Sequence, residues 1–326
     1  MIDTKKNYKI EFIRCFAILS VMLGHSIILY DPSWGIYTSI NSSNILIGIK
    51  RIINIYQMPI FMMISGFCFT YSVKKNSFNK DWYIKKVKRL LVPYIFFFFF
   101  YVVPIRLLCK YPAWTNTSIL KISSNIISGY DVGMLWFLPT LFFITILATL
   151  SNRIKNKMIK SIYYIFLLMI SLKSSIFPSI FYISSIAIYL FWFELGNYLH
   201  MNIEKIETNR KNAIILILLL LLCFILLFFV DYKLIIKFLK ILIPIIIFLI
   251  LYLFCGNKQI KIVSKISSNS FGLYLFHSPL LYFLFNYFPN IPISIFIFCG
   301  FCILGTISYV LTAIIKRTKL KILIGE

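Results

Sequence analysis

Arg14 and His25 stand eleven residues apart in a stretch otherwise made mostly of Ile, Phe, Leu, Val and Met. If that stretch is a helix, eleven residues at about 100° each come close to three full turns. Both side chains then share one face, about 16 Å apart along the axis. Glu11 lies three residues before Arg14, close enough to pair on a helix surface. Imidazole titrates near neutral pH, so it can take up a proton or attack as a nucleophile. Ionisable groups among apolar residues are costly, about 2.5–3.5 kcal/mol for an Arg at a bilayer centre on insertion scales, and each marks a candidate site. Spacing alone leaves the alternative open: a structural Glu11–Arg14 pair, with His25 hydrogen-bonded between helices.

Further polar groups recur in the same setting. Ser270, Tyr274 and His277 fall at i, i+4 and i+7, one helical stripe that faces either a substrate or neighbouring helices. Ser65 and Gly66 follow Pro59, whose ring interrupts helical hydrogen bonding, and small residues also let helices pack closely. Trp136 enters an apolar run from a polar loop, a common interfacial position that also allows stacking on a sugar face. The run from Tyr83 to Arg89 holds Lys85, Lys86, Lys88 and Arg89 and precedes Pro93. Glu194 sits within an apolar run with no partner that the sequence identifies, and His200 falls at its edge as a solvated side chain. Three scattered histidines make no metal-ligand set. Cys299 and Cys302 imitate a redox pair, but such a pair needs an exposed, electropositive setting, and this one lies in an apolar span.

These residues must be held by membrane helices. Hydrophobic residues make up 60% of the 326, charged residues 13%. An ordinary soluble domain carries about 25% charge, and folded soluble chains need a polar exterior. At about 20 residues per crossing, ten spans are expected: 10–30, 52–72, 91–108, 133–150, 158–172, 177–199, 213–231, 236–255, 269–288 and 293–315. The longest linker is 109–132. The first span is no cleavable signal, because it carries Glu11, Arg14 and His25 and lacks a small-residue cleavage pattern. The net charge of +24 is spread over short loops, which argues against nucleic acid. On the ten-span reading, 24 Lys and Arg fall on the side of the termini and nine on the other. That asymmetry predicts both termini in the cytoplasm. The fold class is therefore an all-α bundle of about ten transmembrane helices in the lipid bilayer.

Four segments carry a resemblance. Residues 13–26, with Arg14, ten residues and then His25, resemble the first-helix signature of the acyltransferase 3 family of bacterial membrane O-acyltransferases. Met58-Pro59 through Ser65-Gly66-Phe67 resembles its second-helix block, and Gly133-Met134-Leu135-Trp136-Phe137-Leu138-Pro139 its Trp-Phe-Leu block. Ser270-Phe271-Gly272-Leu273-Tyr274-Leu275-Phe276-His277 resembles its late Tyr-x-x-His block. One position departs: many relatives have a His just before the Met-Pro pair, where this chain has Gln57.

The resemblance implies one transmembrane acyltransferase domain over 1–326, with no added soluble domain. It implies acetyl-CoA as acyl donor, no tightly bound cofactor, and an acceptor hydroxyl on a cell-envelope or lipid-linked glycan, in a bacterial cytoplasmic membrane. His25 would then be the base or a transient acyl carrier, with Arg14 on donor phosphates and Glu11 holding Arg14. Arg89, Lys86 and Ser65 would meet the donor, and Trp136, Tyr274 and His277 the acceptor. The rivals are a glycan or lipid transporter, against which no duplicated halves are found, and an inactive homologue, which Gln57 would suit.

Overall fold

A computed structural model describes residues 7–37, 43–75, 78–114, 117–203, 210–256 and 258–326. The described residues contain helices and turns but no strand. In chain order the helices are α1 (Tyr8–Ser26), α2 (Asn44–Lys75), α3 (Lys80–Leu108), α4 (Ile119–Ser128), α5 (Phe137–Ser151) and α6 (Lys157–Leu172). They continue with α7 (Ile183–Asn202), α8 (Arg210–Phe229), α9 (Lys233–Phe254), α10 (Lys261–Tyr287) and α11 (Ile293–Lys316).

Among the described residues seven of these are long and apolar enough to cross a membrane: α2, α3, α5, α7, α8, α9 and α11, four of them with short extensions or trimmed ends. The other three expected spans fall on helices that differ for identifiable reasons. Helix α6 has only 16 residues. Helix α1 carries Lys9, Glu11, Arg14 and His25, and α10 carries Lys261, Lys265 and a Ser/Asn run. The two polar helices pack against each other, and α1 also packs on α2, so their polar groups meet protein rather than a uniform apolar surround.

Two boundaries depart from expectation. Helix α2 starts at Asn44, eight residues before the expected 52, and so takes in Lys50. That charge is tolerated because Lys50 Nζ lies 2.9 Å from Asp31 Oδ2, with both side chains nearly buried. Hydrogen bonds from the Ser33 hydroxyl and from Lys50 hold Asp31 down to about 2, so its carboxylate stays ionised. The linker 109–132 contains α4. Ser118 caps its first turn by accepting from Lys121 N, and Gly129, at φ +79°, ends it,.

Helix α3 is widened twice. Pro93 has no N–H for the Arg89 carbonyl, and its ring crowds that carbonyl. The turn Val87–Leu91 is accordingly a π-turn, and Phe98–Val102 repeats the device ahead of Pro104,. Helices α2 and α7 cross at a reciprocal pair of glycines. A Cβ on Gly66 would stand 1.8 Å from the Phe193 carbonyl oxygen, and one on Gly196 would stand 2.0 Å from that of Met63. Gly66 is therefore a packing residue, and no larger side chain fits there without separating the helices. Beside this crossing, buried Glu194 accepts from the Ser151 hydroxyl and the Asn197 amide, and Thr70 Oγ1 donates to Asn197 Oδ1 at 2.6 Å. His200 is not solvated: it is half-buried, edge-on to Phe67 and Tyr71 at centroid distances of 4.6 and 4.3 Å. All seven cysteines are free thiols, Cys299 and Cys302 included.

Candidate active site

Two cavities lie end to end along one side of α1. The first, about 270 Å³, is walled by Arg14, Val21, Ser65, Cys68, Lys86, Arg89, Ser270 and Tyr274, with Phe61, Phe137 and Phe271 completing it. The second, about 390 Å³, is walled by His25, Trp34, Arg106, Tyr111, Asp131, Met134, Trp136, Ser278, Tyr282 and Phe285. Val21 and His25 are one helical turn apart, so the cavities succeed one another within a turn of α1. Between them Tyr274, on the first wall, donates its hydroxyl hydrogen to the Met134 carbonyl, on the second.

The first cavity is cationic at one end. Arg14 comes from α1, while Lys86 and Arg89 come from α3, three residues apart around its widened turn. The Glu326 carboxylate also borders the cavity, and its Oε1 is engaged by Lys316 Nζ at 2.5 Å. The Arg14 guanidinium donates to Cys68 Sγ at 3.3 Å, which leaves most of its donors for an anion. The remaining wall is aromatic and aliphatic with the Ser65 hydroxyl among it, although that hydroxyl donates to the Phe61 carbonyl at 2.9 Å.

The expected Glu11–Arg14 pair does not form. Among the described residues the ion pairs are Lys50–Asp31, Arg106–Asp131 and Lys316–Glu326. Glu11 turns toward α10 and accepts from the Ser264 hydroxyl at 2.5 Å, away from the first cavity. Spacing of i, i+3 permits a pair on an isolated helix, but here one side of α1 packs on α10 while Arg14 reaches the cavity beside α2. Glu11 therefore neither pairs with Arg14 nor lines the first cavity.

At the other end, His25 Nδ1 lies 2.8 Å from His277 Nε2, and His277 Nδ1 lies 2.7 Å from the Leu273 carbonyl oxygen. Both ring nitrogens of His277 are therefore engaged, and the side chain is buried behind His25 at 1% exposure. The cavity wall beside it is Ser278 and Leu281. The two expected acceptor contacts are thus placed elsewhere: His277 does not line the second cavity, and Tyr274 lines the first. Trp136 does border the second cavity, its ring stacked on Tyr189 at 5.1 Å. Gln57 sits on α2 against Gly24, with its amide donating to Asn54 Oδ1 at 2.9 Å and making no bond to His25.

A family model described as an acyltransferase domain matches residues 7–314, nearly the whole chain. The chain belongs to the acyltransferase 3 family. No curated protein and no solved structure matches it. As a family member it is a multi-pass membrane acyltransferase, with two cavities lying along α1.

In this acyltransferase the second cavity has a wall that the sequence did not announce. Arg106, at the end of α3 and 1% exposed, donates to the Asp131 carbonyl at 2.9 Å, to its carboxylate at 3.3 Å and to the Tyr282 hydroxyl at 3.0 Å. Its guanidinium also lies over the Tyr111 ring, 4.2 Å from the centroid. Asp131 and Gly133 both have positive φ, and a Cβ on Gly133 would stand 2.6 Å from Arg106 Nη2. Arg106 thereby pins the tight turn that presents Met134 and Trp136. In the sequence Arg106 stands just ahead of the 109–132 linker. The signal that could have found it was Asp131 and Gly133 standing just ahead of the Trp136 block.

Proposed function

We propose that the protein is an O-acetyltransferase that takes an acetyl group from acetyl-CoA and gives it to a hydroxyl of a cell-envelope or lipid-linked glycan. The observation that carries this reading is the pair of cavities on one face of α1, cationic at Arg14 and aromatic at His25. Coenzyme A has phosphates at one end and a long, largely uncharged arm bearing the thioester at the other. Arg14, Lys86 and Arg89 suit the phosphates, for which guanidinium forks are well shaped. The Phe-lined wall suits the arm. The aromatic second cavity suits a sugar ring, with Trp34 and Trp136 for its faces and Asp131 for its hydroxyls.

In the reaction His25 takes the hydroxyl proton as the alcohol oxygen attacks the thioester carbonyl carbon. The C–S bond breaks, and the leaving thiolate receives the proton back from the imidazolium, so His25 is restored. General base catalysis of this kind typically supplies 10²–10⁴-fold.

We place the protein in a bacterial cytoplasmic membrane with ten crossings and both termini inside, supported by the excess of Lys and Arg in the segments on that side. The polar α1 and α10 then cross within a ring of apolar helices. The donor end at Arg14 and Arg89 faces the cytoplasm, and the His25 cavity faces outward. A reporter fused after Glu326 should read as cytoplasmic, and a Cys placed at Asn290 should be labelled from outside; the reverse pattern would exchange the donor and acceptor sides. For the reaction itself, purified protein in bilayer discs should release free CoA thiol from acetyl-CoA and move labelled acetyl into a membrane glycan fraction. Glycan movement across vesicles without acetyl-CoA consumption would favour a transporter instead.

A further inference from the structure

The hydrogen bonds behind His25 form a one-way chain that decides which of its nitrogens can accept a proton. A carbonyl oxygen carries no hydrogen, so the nitrogen 2.7 Å from the Leu273 carbonyl, His277 Nδ1, must be the one that bears hydrogen. A neutral imidazole has a single N–H, so His277 Nε2 is a lone pair and an acceptor. His25 Nδ1, 2.8 Å away, must then be the donor. The lone pair of His25 is left on Nε2, the nitrogen not spent on His277.

The ring geometry supports a true N–H···N bond. The two ring planes differ by 10° and their centroids are 5.0 Å apart, while the bonded nitrogens are 2.8 Å apart. Face-to-face rings would bring centroids and nitrogens to similar separations. Here the nitrogens are much the closer, as in two coplanar rings meeting edge to edge. Water cannot compete for the bond at His277, which is 1% exposed.

We propose that His277 is a positioning residue that holds His25 in its Nδ1–H tautomer and so keeps Nε2 as the proton acceptor facing the second cavity. This rests on the reading of His25 as the base. The arrangement parallels a hydrolase triad, in which a group behind the histidine fixes its tautomer, but the group here is a neutral imidazole anchored by a backbone carbonyl. When His25 takes a proton at Nε2, its Nδ1–H donates from a cation and the bond to His277 strengthens.

The test is ¹⁵N solid-state NMR of histidine-labelled protein in bilayers at mildly alkaline pH. With three histidines in the chain, a His200→Gln sample assigns the third. His25 should show a protonated Nδ1, a bare Nε2 and a scalar coupling across the bond to His277 Nε2. In His277→Leu, which removes the acceptor but keeps apolar bulk, that tautomer should lose its dominance. The same variant's kcat should fall on the order of 10²-fold with acceptor KM little changed. His277→Gln, whose amide oxygen can accept from Nδ1–H, should recover part of the loss. A protonated Nε2 on His25 in the parent protein would overturn the proposal, as would unchanged kcat in His277→Leu. The tautomer is read without turnover, so a protein that proves to use another base leaves the NMR result standing by itself.

Discussion

His25→Gln protein should insert at normal levels and bind acetyl-CoA with unchanged affinity, yet transfer acetyl groups 10²–10⁴-fold more slowly. An amide occupies similar space and can accept from or donate to a neighbour, but it cannot take up a proton at neutral pH. The donor cavity is walled by Arg14 and Val21 from the same helix and should be untouched by a change one turn beyond it. The measurement is single-turnover acetyl transfer alongside equilibrium binding of acetyl-CoA. Near-normal transfer by His25→Gln would move the base elsewhere. His277 would not be a ready substitute, because its ring is buried and does not line the second cavity.

Arg14→Ala should show the complementary defect, with acetyl-CoA binding weakened about 10–100-fold, the loss expected for a hydrogen bond to a charged group worth about 1.5–3 kcal/mol. Arg14→Lys should recover part of this, since an ammonium keeps the charge but not the planar fork. Glu11→Gln gives the informative contrast. Glu11 bonds Ser264 and not Arg14, so it should leave donor affinity close to the parent value and act, if at all, on the packing of α1 against α10. Isothermal titration with acetyl-CoA and with desulfo-CoA would read all three. Donor affinity unchanged in Arg14→Ala, with Arg89→Ala also silent, would remove the cationic cavity as the donor site.

The class of the molecule and the shared face of Arg14 and His25 were legible in the chain. Apolar runs about as long as a bilayer is thick force helices, because backbone groups in lipid have no water to bond. Arg14 and His25 had to share a face of one such helix, since eleven residues close three turns wherever the helix sits. The cationic group of the first cavity was legible almost as well: Lys86 and Arg89 precede Pro93, and a proline that strips the Arg89 carbonyl of its helical partner widens the turn that holds Arg89.

What the chain could not show were contacts between helices far apart in sequence. His25 and His277 are 252 residues apart, and nothing local to either says that they bond. The same holds for Ser264 capturing Glu11, and for Arg106 gathering Asp131, Tyr111 and Tyr282 into a wall of the second cavity. Helical periodicity assigns a residue to a face but not that face to a neighbour. Tyr274 and His277 share a stripe of α10. Yet one points its hydroxyl at the partition between the cavities and the other closes its ring on His25, because α1 and the Met134 turn pass that stripe at different heights. Sequence set the period and the cost of each buried charge; the choice of partner fell to the packing of helices, which alone satisfies those charges.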